Sequence, residues 1–350
     1  MPEINVFSTN FLIGATEKLQ PAEAFLLNRY FGESIIFDSD KVLAEFEGGN
    51  AYIAPYVDEH QGSIPVARGG YAVHEYEPPL VAPSRITTLD TLKTRGIGEA
   101  LVGGETKEER SKRLQIRDIA DLNNRVTRRE EVMAGEILTS NQLVVKEMIS
   151  ASEEGQTSTM YFYDPTGSNP AAFSSSLWTT FAIAYAEIAA MCEGVAESGV
   201  NPTDLLLGSD AWGTLFGFSE FRALLDNRRI YAGEVAEKRV AQGVRSAGFI
   251  NVAGFELEIF VIDESYKEND GTTKKVFGSK NACVTAPGIG RALYAAITFL
   301  PAMETDFVTV EQKRVAYVQV EKQSRELVLA SRPLLVPKTI APFRFATVLS

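Results

Sequence analysis

The hydrophobic pattern is clearest in the middle of the chain, where it predicts one long helix over residues 106–140. Thr106-Lys107-Glu108-Glu109 is a capping box, in which a hydroxyl and a carboxylate bind free N–H groups at a helix start. Five apolar residues then recur at helical spacing and make one narrow stripe: Ile119, Leu122, Val126, Met133 and Ile137. At ~1.5 Å per residue the helix would be about 50 Å long, which is typical of a strut that crosses a surface.

The other positions of this predicted helix carry a dense mixture of charges of both signs, Glu130 and Glu131 among them. In an ordinary protein such a surface is solvated. Because the helix is long and its apolar stripe is narrow, we expect its charged face to contact neighbouring subunits instead.

Before the long helix, the pattern predicts two short elements and a segment of a different kind. Residues 21–31 suit an amphipathic helix, and residues 34–47 suit a pair of strands that turn around Asp38-Ser39-Asp40. Residues 49–105 are rich in glycine and proline between short alternating runs such as AYIAPYV. This segment resembles a long hairpin with too few apolar residues for a core of its own, so it needs a partner surface.

After the long helix, alternating residues predict strands over 141–172 and 286–350. The segment between them, 173–285, has the pattern of an α/β module. It combines a buried helix over 177–198, helical segments over 210–226 and 232–243, and strands that include 205–210 and 255–263.

Composition and charge exclude several classes of protein. The chain has 350 residues, of which 45% are hydrophobic and 23% charged, and these fractions are typical of globular proteins. The net charge of −12 argues against a module that grips nucleic acid through its phosphates. No secretory signal and no apolar run of about 20 residues occurs, so we expect a soluble protein without a membrane partner.

Catalytic and metal-binding motifs are missing from the sequence. The two cysteines, Cys192 and Cys283, have no metal-ligand spacing. His60 and His74 have no accompanying nucleophile motif, and three glycine-rich stretches, at 96–104, 243–248 and 286–293, lack a complete dinucleotide fingerprint. We therefore predict no catalytic residues, no cofactor and no metal.

Several stretches resemble one known family in their order along the chain. They are Phe25-Leu26-Leu27-Asn28-Arg29-Tyr30-Phe31, Ala54-Pro55-Tyr56-Val57, Ala67-Arg68-Gly69-Gly70, Glu77-Pro78-Pro79 with Pro83, residues 112–131, residues 211–229 with 255–266, and Arg332-Pro333-Leu334-Leu335. This pattern is similar to that of the major head protein of phage lambda and its relatives, a family with the Hong Kong 97 capsid fold.

The resemblance implies an α+β fold of the Hong Kong 97 capsid type, divided into named parts. Residues 1–48 would be an N-arm, residues 49–105 an extended loop (E-loop) that lies over a neighbour, and residues 106–140 a spine helix. The peripheral domain would combine 141–172 with 286–350, and the apical domain would be 173–285.

The resemblance also implies a function. The chain would be the major capsid protein of a tailed bacteriophage, which assembles with itself as hexamers and pentamers into an icosahedral head. That head would enclose double-stranded DNA without sequence-specific binding and expand from a procapsid to a mature shell. The protein would be assembled in the bacterial cytoplasm and end in the virion. Further expected partners are a portal, a decoration protein, and a scaffold supplied by a separate chain because the N-arm starts almost at Met1.

Contacts between subunits are expected at ten residues of the loop and the spine. They are Arg68, Gly69, Gly70, Glu75, Glu77, Arg110, Arg113, Arg117, Arg125 and Arg128. Some capsids of this fold join a loop lysine covalently to a peripheral asparagine. Here the loop has only Lys93, and no asparagine follows Asn281, so we expect no covalent ladders in denaturing gels.

Two other functions remain open from the sequence. An encapsulin-like compartment shares the fold but would hold a cargo protein and assemble without a scaffold. A cytoplasmic α/β enzyme would use residues 173–285 as its catalytic domain, and it would be a small monodisperse species that binds a ligand there.

Overall fold

The computed structural model describes residues 23–47, 71–88, 107–150, 153–174, 176–223, 238–268, 270–300, 306–321 and 324–350. Four helices have both ends in these ranges: α1 Phe25–Tyr30, α2 Lys107–Ser140, α3 Phe181–Glu197 and α4 Ser209–Gly217. Residues 219–223 are also helical. The strands before α3 are β1 Glu33–Ile36, β2 Val42–Glu47, β3 Tyr71–Tyr76, β4 Ser84–Thr88, β5 Gln142–Ser150 and β6 Glu153–Tyr161.

The remaining strands follow α3. They are β7 Asp204–Gly208, β8 Lys238–Ala241, β9 Val244–Val252, β10 Phe255–Ile262, β11 Ser265–Lys267, β12 Thr273–Lys275, β13 Asn281–Thr285, β14 Gly290–Tyr294, β15 Ile297–Phe299, β16 Val308–Val310, β17 Val315–Glu321, β18 Ser324–Ala330, β19 Pro333–Pro337 and β20 Arg344–Thr347. The chain therefore mixes helices with several sheets, as the sequence predicts.

The largest sheet has six strands in the order β20-β13-β7-β10-β9-β8. Its central strand β7 is buried at every position, which explains why Leu205-Leu206-Leu207 is an unbroken apolar run. Helices α3 and α4 pack on this sheet and form one hydrophobic core with it, which includes Trp178 and Trp212. The hydroxyl of Thr180 begins α3 by accepting a hydrogen bond from the backbone N–H of Ile183.

A second core lies between the other face of the six-stranded sheet, the smaller sheets and the C-terminal half of α2. The sheet β1-β14-β19 contributes to it, and so do α1 and Phe31. A Cβ atom at Gly290 would collide with the ring of Phe31, so only glycine lets β14 approach that ring. This core joins the first described residues of the chain to the last strands.

In the sheet β17-β18-β4, strands β17 and β18 bury side chains on both faces. On one face Ala316, Leu327 and Leu329 pack against the stripe residues of α2 near Leu122. On the other face the ring of Tyr317 stacks on Phe299 with 4.4 Å between the centroids. The narrow apolar stripe predicted for the long helix is thus its contact with this sheet and with the second core.

Helix α2 ends at Ser140 because the backbone of Asn141 turns into the left-handed region, with φ 54°. The N–H of Asn141 donates to the carbonyl of Ile137 at 2.7 Å, which is the pattern of a left-handed C-terminal cap. The predicted helix over 106–140 is confirmed from residue 107 onwards; Thr106, the first residue of the capping box, lies outside the described residues.

Three local predictions differ from the structure. β1 and β2 exist, but they do not pair with each other: β1 runs parallel to β14, and β2 pairs with β3. Residues 238–241, predicted as helix, form β8, because the edge of the six-stranded sheet offers backbone partners that outweigh local propensity. β3 and β4 pair with β2 and β18, and the rest of the predicted hairpin, 49–70 and 89–105, lies outside the described residues.

Candidate assembly interface

The helix α2 presents four arginines to solvent between residues 113 and 128. Arg113, Arg117, Arg125 and Arg128 are all exposed. At 100° per residue they fall within about 120° of one another around the helix, so they form one surface, which we call the arginine face. Of the other predicted contact residues, Arg68, Gly69, Gly70 and the side chain of Arg110 lie outside what the structure describes.

One carboxylate anchors this face to the sheet beneath it. Asp121 accepts a hydrogen bond from Nε of Arg125 at 3.1 Å, and the guanidinium of Arg85 on β4 also binds it. Both arginines lower the pKa of Asp121, through hydrogen bonding and charge. These side chains are about half exposed, so the pairs orient the arginines and contribute little to stability.

Glu75 and Glu77 lie on and just after β3, and both are exposed. A carboxylate oxygen of Glu75 is 3.3 Å from Nζ of Lys41, and one of Glu77 is 3.7 Å from Nη2 of Arg332. The other terminal nitrogen of Arg332 is 2.7 Å from Asp40. Asp40, Glu75 and Glu77 form an exposed surface, which we call the acidic rim. Its net charge is negative because three carboxylates face only two cations, Lys41 and Arg332.

Glu130 is not part of the charged outer face expected from the sequence, because it is fully buried within the chain. One of its oxygens accepts from Nη2 of Arg314 at 2.6 Å, and the other accepts from the hydroxyl of Tyr294 at 3.3 Å. Arg314 also binds the side-chain oxygen of Asn123. Burial raises the pKa of Glu130, and the charge of Arg314 opposes that rise. This cluster ties α2 to β14 and to the turn before β17.

Glu131 is also buried, on a different side of the helix. Its carboxylate accepts the backbone N–H groups of Leu26 at 2.7 Å and Leu27 at 2.9 Å, so it caps the start of α1 from 104 residues or more away in sequence. Burial raises the pKa of Glu131 to about 7, although these N–H donors favour the charged form; the nearby carboxylate of Glu264 raises it further.

The other end of α1 is held by Asp204 at the start of β7. Arg29 donates to both oxygens of this buried carboxylate, from Nε at 2.6 Å and from Nη2 at 3.0 Å. The hydroxyl of Tyr30 donates to it at 2.8 Å. The guanidinium also lies 4.5 Å from the ring centroid of Phe260. The bonds to Asp204 raise the pKa of Arg29, so this guanidinium stays charged.

The burial of Glu130 could have been predicted from the sequence. This residue stands four residues after Val126 and three before Met133, so it lies on the apolar stripe and not on the charged face. No such signal exists for Glu131, because it lies five helical turns from Arg113 and thus at the same angle as an exposed arginine. Only the position of α1 explains its burial.

The described residues provide few groups that could bind a metal ion or take part in catalysis. They contain no group of three or more His, Cys, Asp or Glu side chains that could hold a metal ion. His74 is exposed on β3 and packs against the ring of Phe46, with 5.6 Å between centroids; His60 lies outside the described residues. Within the same ranges, no helix is both long enough and apolar enough to span a bilayer.

The fold resembles two solved proteins over nearly their whole lengths. A protein described as a capsid protein of a prophage in E. coli CFT073 matches with a TM-score of 0.62 at 15% identity, covering 97% of this chain and 98% of that one. A phage-related protein from Bordetella bronchiseptica RB50 matches with a TM-score of 0.51 at 11% identity, covering 96% of each chain. The likeness defines the fold class: an α+β capsid fold of the Hong Kong 97 type.

The sequence identifies the family. The model of the family phage major capsid protein E matches residues 8–348, which is nearly the whole chain. This chain therefore belongs to the phage major capsid protein E family, whose members are structural proteins that assemble into the shell of the virion. No curated protein sequence matches the chain. The prediction of a capsid protein rather than an enzyme is confirmed by this membership.

Proposed function

We propose that this chain builds the icosahedral head of a tailed phage as hexamers and pentamers, around double-stranded DNA. The observation that carries the proposal is the family match over residues 8–348. The net charge of −12 supports it, because a wall of negative charge does not adhere to the phosphates that it encloses. Closed shells of this kind need different surfaces of one subunit to fit each other.

The arginine face and the acidic rim are two surfaces that fit this need. One carries four exposed guanidinium groups, including Arg113 and Arg117, and the other carries exposed carboxylates, including Glu75 and Glu77. Opposite charges steer copies into register and suppress contacts between like surfaces. We place the arginine face of one subunit against the acidic rim of a neighbour.

The remaining parts of the proposal concern domains and partners. The division into an N-arm (1–48), an E-loop (49–105), a spine (106–140), a peripheral domain (141–172 with 286–350) and an apical domain (173–285) follows the resemblance in the order of these segments along the chain. In this scheme the two domains reorient as rigid bodies when the procapsid expands. A separate scaffold, a portal and a decoration protein complete the assembly.

The two rival functions are less well supported. An encapsulin-like compartment would share the fold, but the matching family is one of phage capsid proteins. An α/β enzyme based on residues 173–285 would need a catalytic cluster there. The six-stranded sheet instead packs its helices into a closed apolar core around Trp178 and Trp212.

Electron microscopy of the expressed protein, with and without the phage's scaffold, tests the proposed function. We expect closed shells of uniform size with the scaffold, and irregular or no shells without it. Cargo protein inside shells that form unaided would favour the encapsulin function. A small monodisperse species under all conditions would contradict the proposal.

Charge reversal tests the proposed contact. The double variant R113E/R117E should abolish shells while leaving the fold intact by circular dichroism. R222E/K267E is the matched control, because it makes the same change in net charge at two exposed positions outside both surfaces. Adding E75K/E77K to R113E/R117E should restore assembly. Shells from R113E/R117E, or failure of the rescue, would show that these two surfaces do not meet.

A further inference from the structure

Helix α1 has only six residues, yet two buried carboxylates from distant elements hold it. Glu131 of the long helix binds its first turn, and Asp204 of the six-stranded sheet binds its last. A helix this short is not stable alone in water. The two attachments, together with the packing of Phe25, Leu26 and Tyr30, therefore determine where it lies.

The attachment of α1 to Asp204 consists of a bidentate ion pair and one further hydrogen bond. The contact joins a guanidinium to both oxygens of one carboxylate, and the tyrosine hydroxyl of Tyr30 completes it. Bidentate bonds between charged groups are the strongest class of hydrogen bond in proteins. Arginine does not lose its proton near neutral pH, so the guanidinium donors of this attachment keep their charge in that range.

The attachment to Glu131 is of a different kind. Its donors are the neutral backbone N–H groups of Leu26 and Leu27, and among the described residues no cation faces the carboxylate. The carboxylate of Glu264, which follows β10, repels that of Glu131, and Arg128 on the long helix attracts Glu264 in turn. The first turn of α1 contributes no acidic side chain. Within the part of the chain that the structure describes, the ionised form of Glu131 is thus buried without a counter-charge.

We propose that α1 is a two-ended latch: it stays on the six-stranded sheet through Asp204, while its attachment to the long helix through Glu131 opens and closes with the protonation of that carboxyl group. The latch couples the two parts of the fold when it is closed. When its Glu131 end is open, the long helix and the sheet lose that link, and α1 remains with the sheet. The device belongs to the folded chain and does not depend on the proposed shell.

The direction of the pH dependence follows from linkage. The pKa of Glu131 is about 7 in the closed latch, against an ordinary value of 4.5 that applies once the carboxyl group is in water. The closed latch therefore binds more protons than the open one between these values. The equilibrium between the open and closed latch favours the closed form most strongly below pH 4.5. This preference weakens as the pH rises and is smallest above pH 7. The opening constant changes by about 300-fold over this range, and by roughly 70-fold between pH 5 and pH 8.

Hydrogen exchange of the full-length chain at several pH values tests the latch. The readout is the protection of a peptide that contains the amides of Leu26 and Leu27, after correction for the intrinsic rise of exchange with pH. In the native chain this protection should fall by roughly 70-fold from pH 5 to pH 8. The variant E131Q keeps the shape and one acceptor oxygen but cannot ionise, so its corrected protection should not vary with pH.

Two further variants separate the ends of the latch. E264Q removes the repelling charge beside Glu131, so the midpoint of the pH dependence should move to lower pH. D204N breaks the other end and should reduce the protection of Tyr30 while leaving the pH dependence at Leu26 in place. Near-ultraviolet circular dichroism confirms the fold of each variant. A native chain whose corrected protection is constant with pH, or an E131Q variant that keeps the native pH dependence, would overturn the proposal.

Discussion

Replacing Arg314 by methionine removes the only cation that hydrogen-bonds to Glu130 in the described ranges. The glutamate side chain is 1% exposed, so its charge would remain in the protein interior with the neutral hydroxyl of Tyr294 as its donor and no bonded cation among the described residues. Removing one member of a buried ion pair costs about 3–5 kcal/mol. The Coulomb attraction of unit charges 4 Å apart, at an effective dielectric constant of 20, is about 4 kcal/mol. We therefore expect R314M to lower the free energy of unfolding by about 3–5 kcal/mol.

The loss should depend on pH in a defined direction. Burial already raises the pKa of Glu130, and the variant removes the attraction of Arg314 that opposes this rise. Because the pKa in the folded variant lies above its unfolded value, the contribution of Glu130 to stability is present at low pH and is lost as the pH rises through the folded pKa. R314M should thus be least destabilised in acid and most destabilised above neutral pH.

Urea denaturation at pH 5 and pH 8 measures both effects. Fluorescence of Trp178 and Trp212 reports on the core of the six-stranded sheet, and far-ultraviolet circular dichroism includes α2. The matched control is R85M. It removes Arg85 of β4 from its exposed ion pair with Asp121, which lies on the same helix as Glu130. We expect R85M to lower the free energy of unfolding by under about 1 kcal/mol. A cost for R314M as small as that for R85M, or one that is the same at both pH values, would refute the reasoning.

Two other predictions concern packing. In G290A the new methyl group would collide with Phe31 and lie 3.0 Å from the carbonyl of Val336, so we expect a loss of about 1–3 kcal/mol in urea denaturation; an unchanged midpoint would count against the close approach of β14 to that ring. Cys192 and Cys283 are buried, and burial raises the pKa of the Cys192 thiol to about 12 and that of Cys283 higher still. A thiol reagent should label neither cysteine until the protein unfolds, and rapid labelling of the folded chain would contradict this.

The sequence predicted the positions of helices and strands better than it predicted which strands pair with each other. The stripe from Ile119 to Ile137 is visible because helical spacing is a local property, and all of its members are buried. Strand pairing is not local. β1 pairs with β14, whose residues lie about 250 positions away, so no pattern within residues 34–47 could have shown that β1 and β2 separate.

The exposure of the long helix was partly predictable for the same reason. Helical spacing placed Arg113, Arg117 and Arg128 on one side of α2, and the structure finds all three exposed. It could not show that Glu131, at the same angle as Arg113, is covered by a six-residue helix from the start of the chain. The charge of a residue predicts solvation only where no other element packs on it.

Cryo-electron microscopy of particles assembled from the full-length chain tests the central claim most directly. The account predicts a closed shell in which Arg113 and Arg117 of one copy lie within ion-pair distance of Glu75 and Glu77 of the next. A shell in which these side chains face solvent would contradict the proposed contact. A chain that forms only small discrete oligomers, even with its scaffold, would contradict the shell itself.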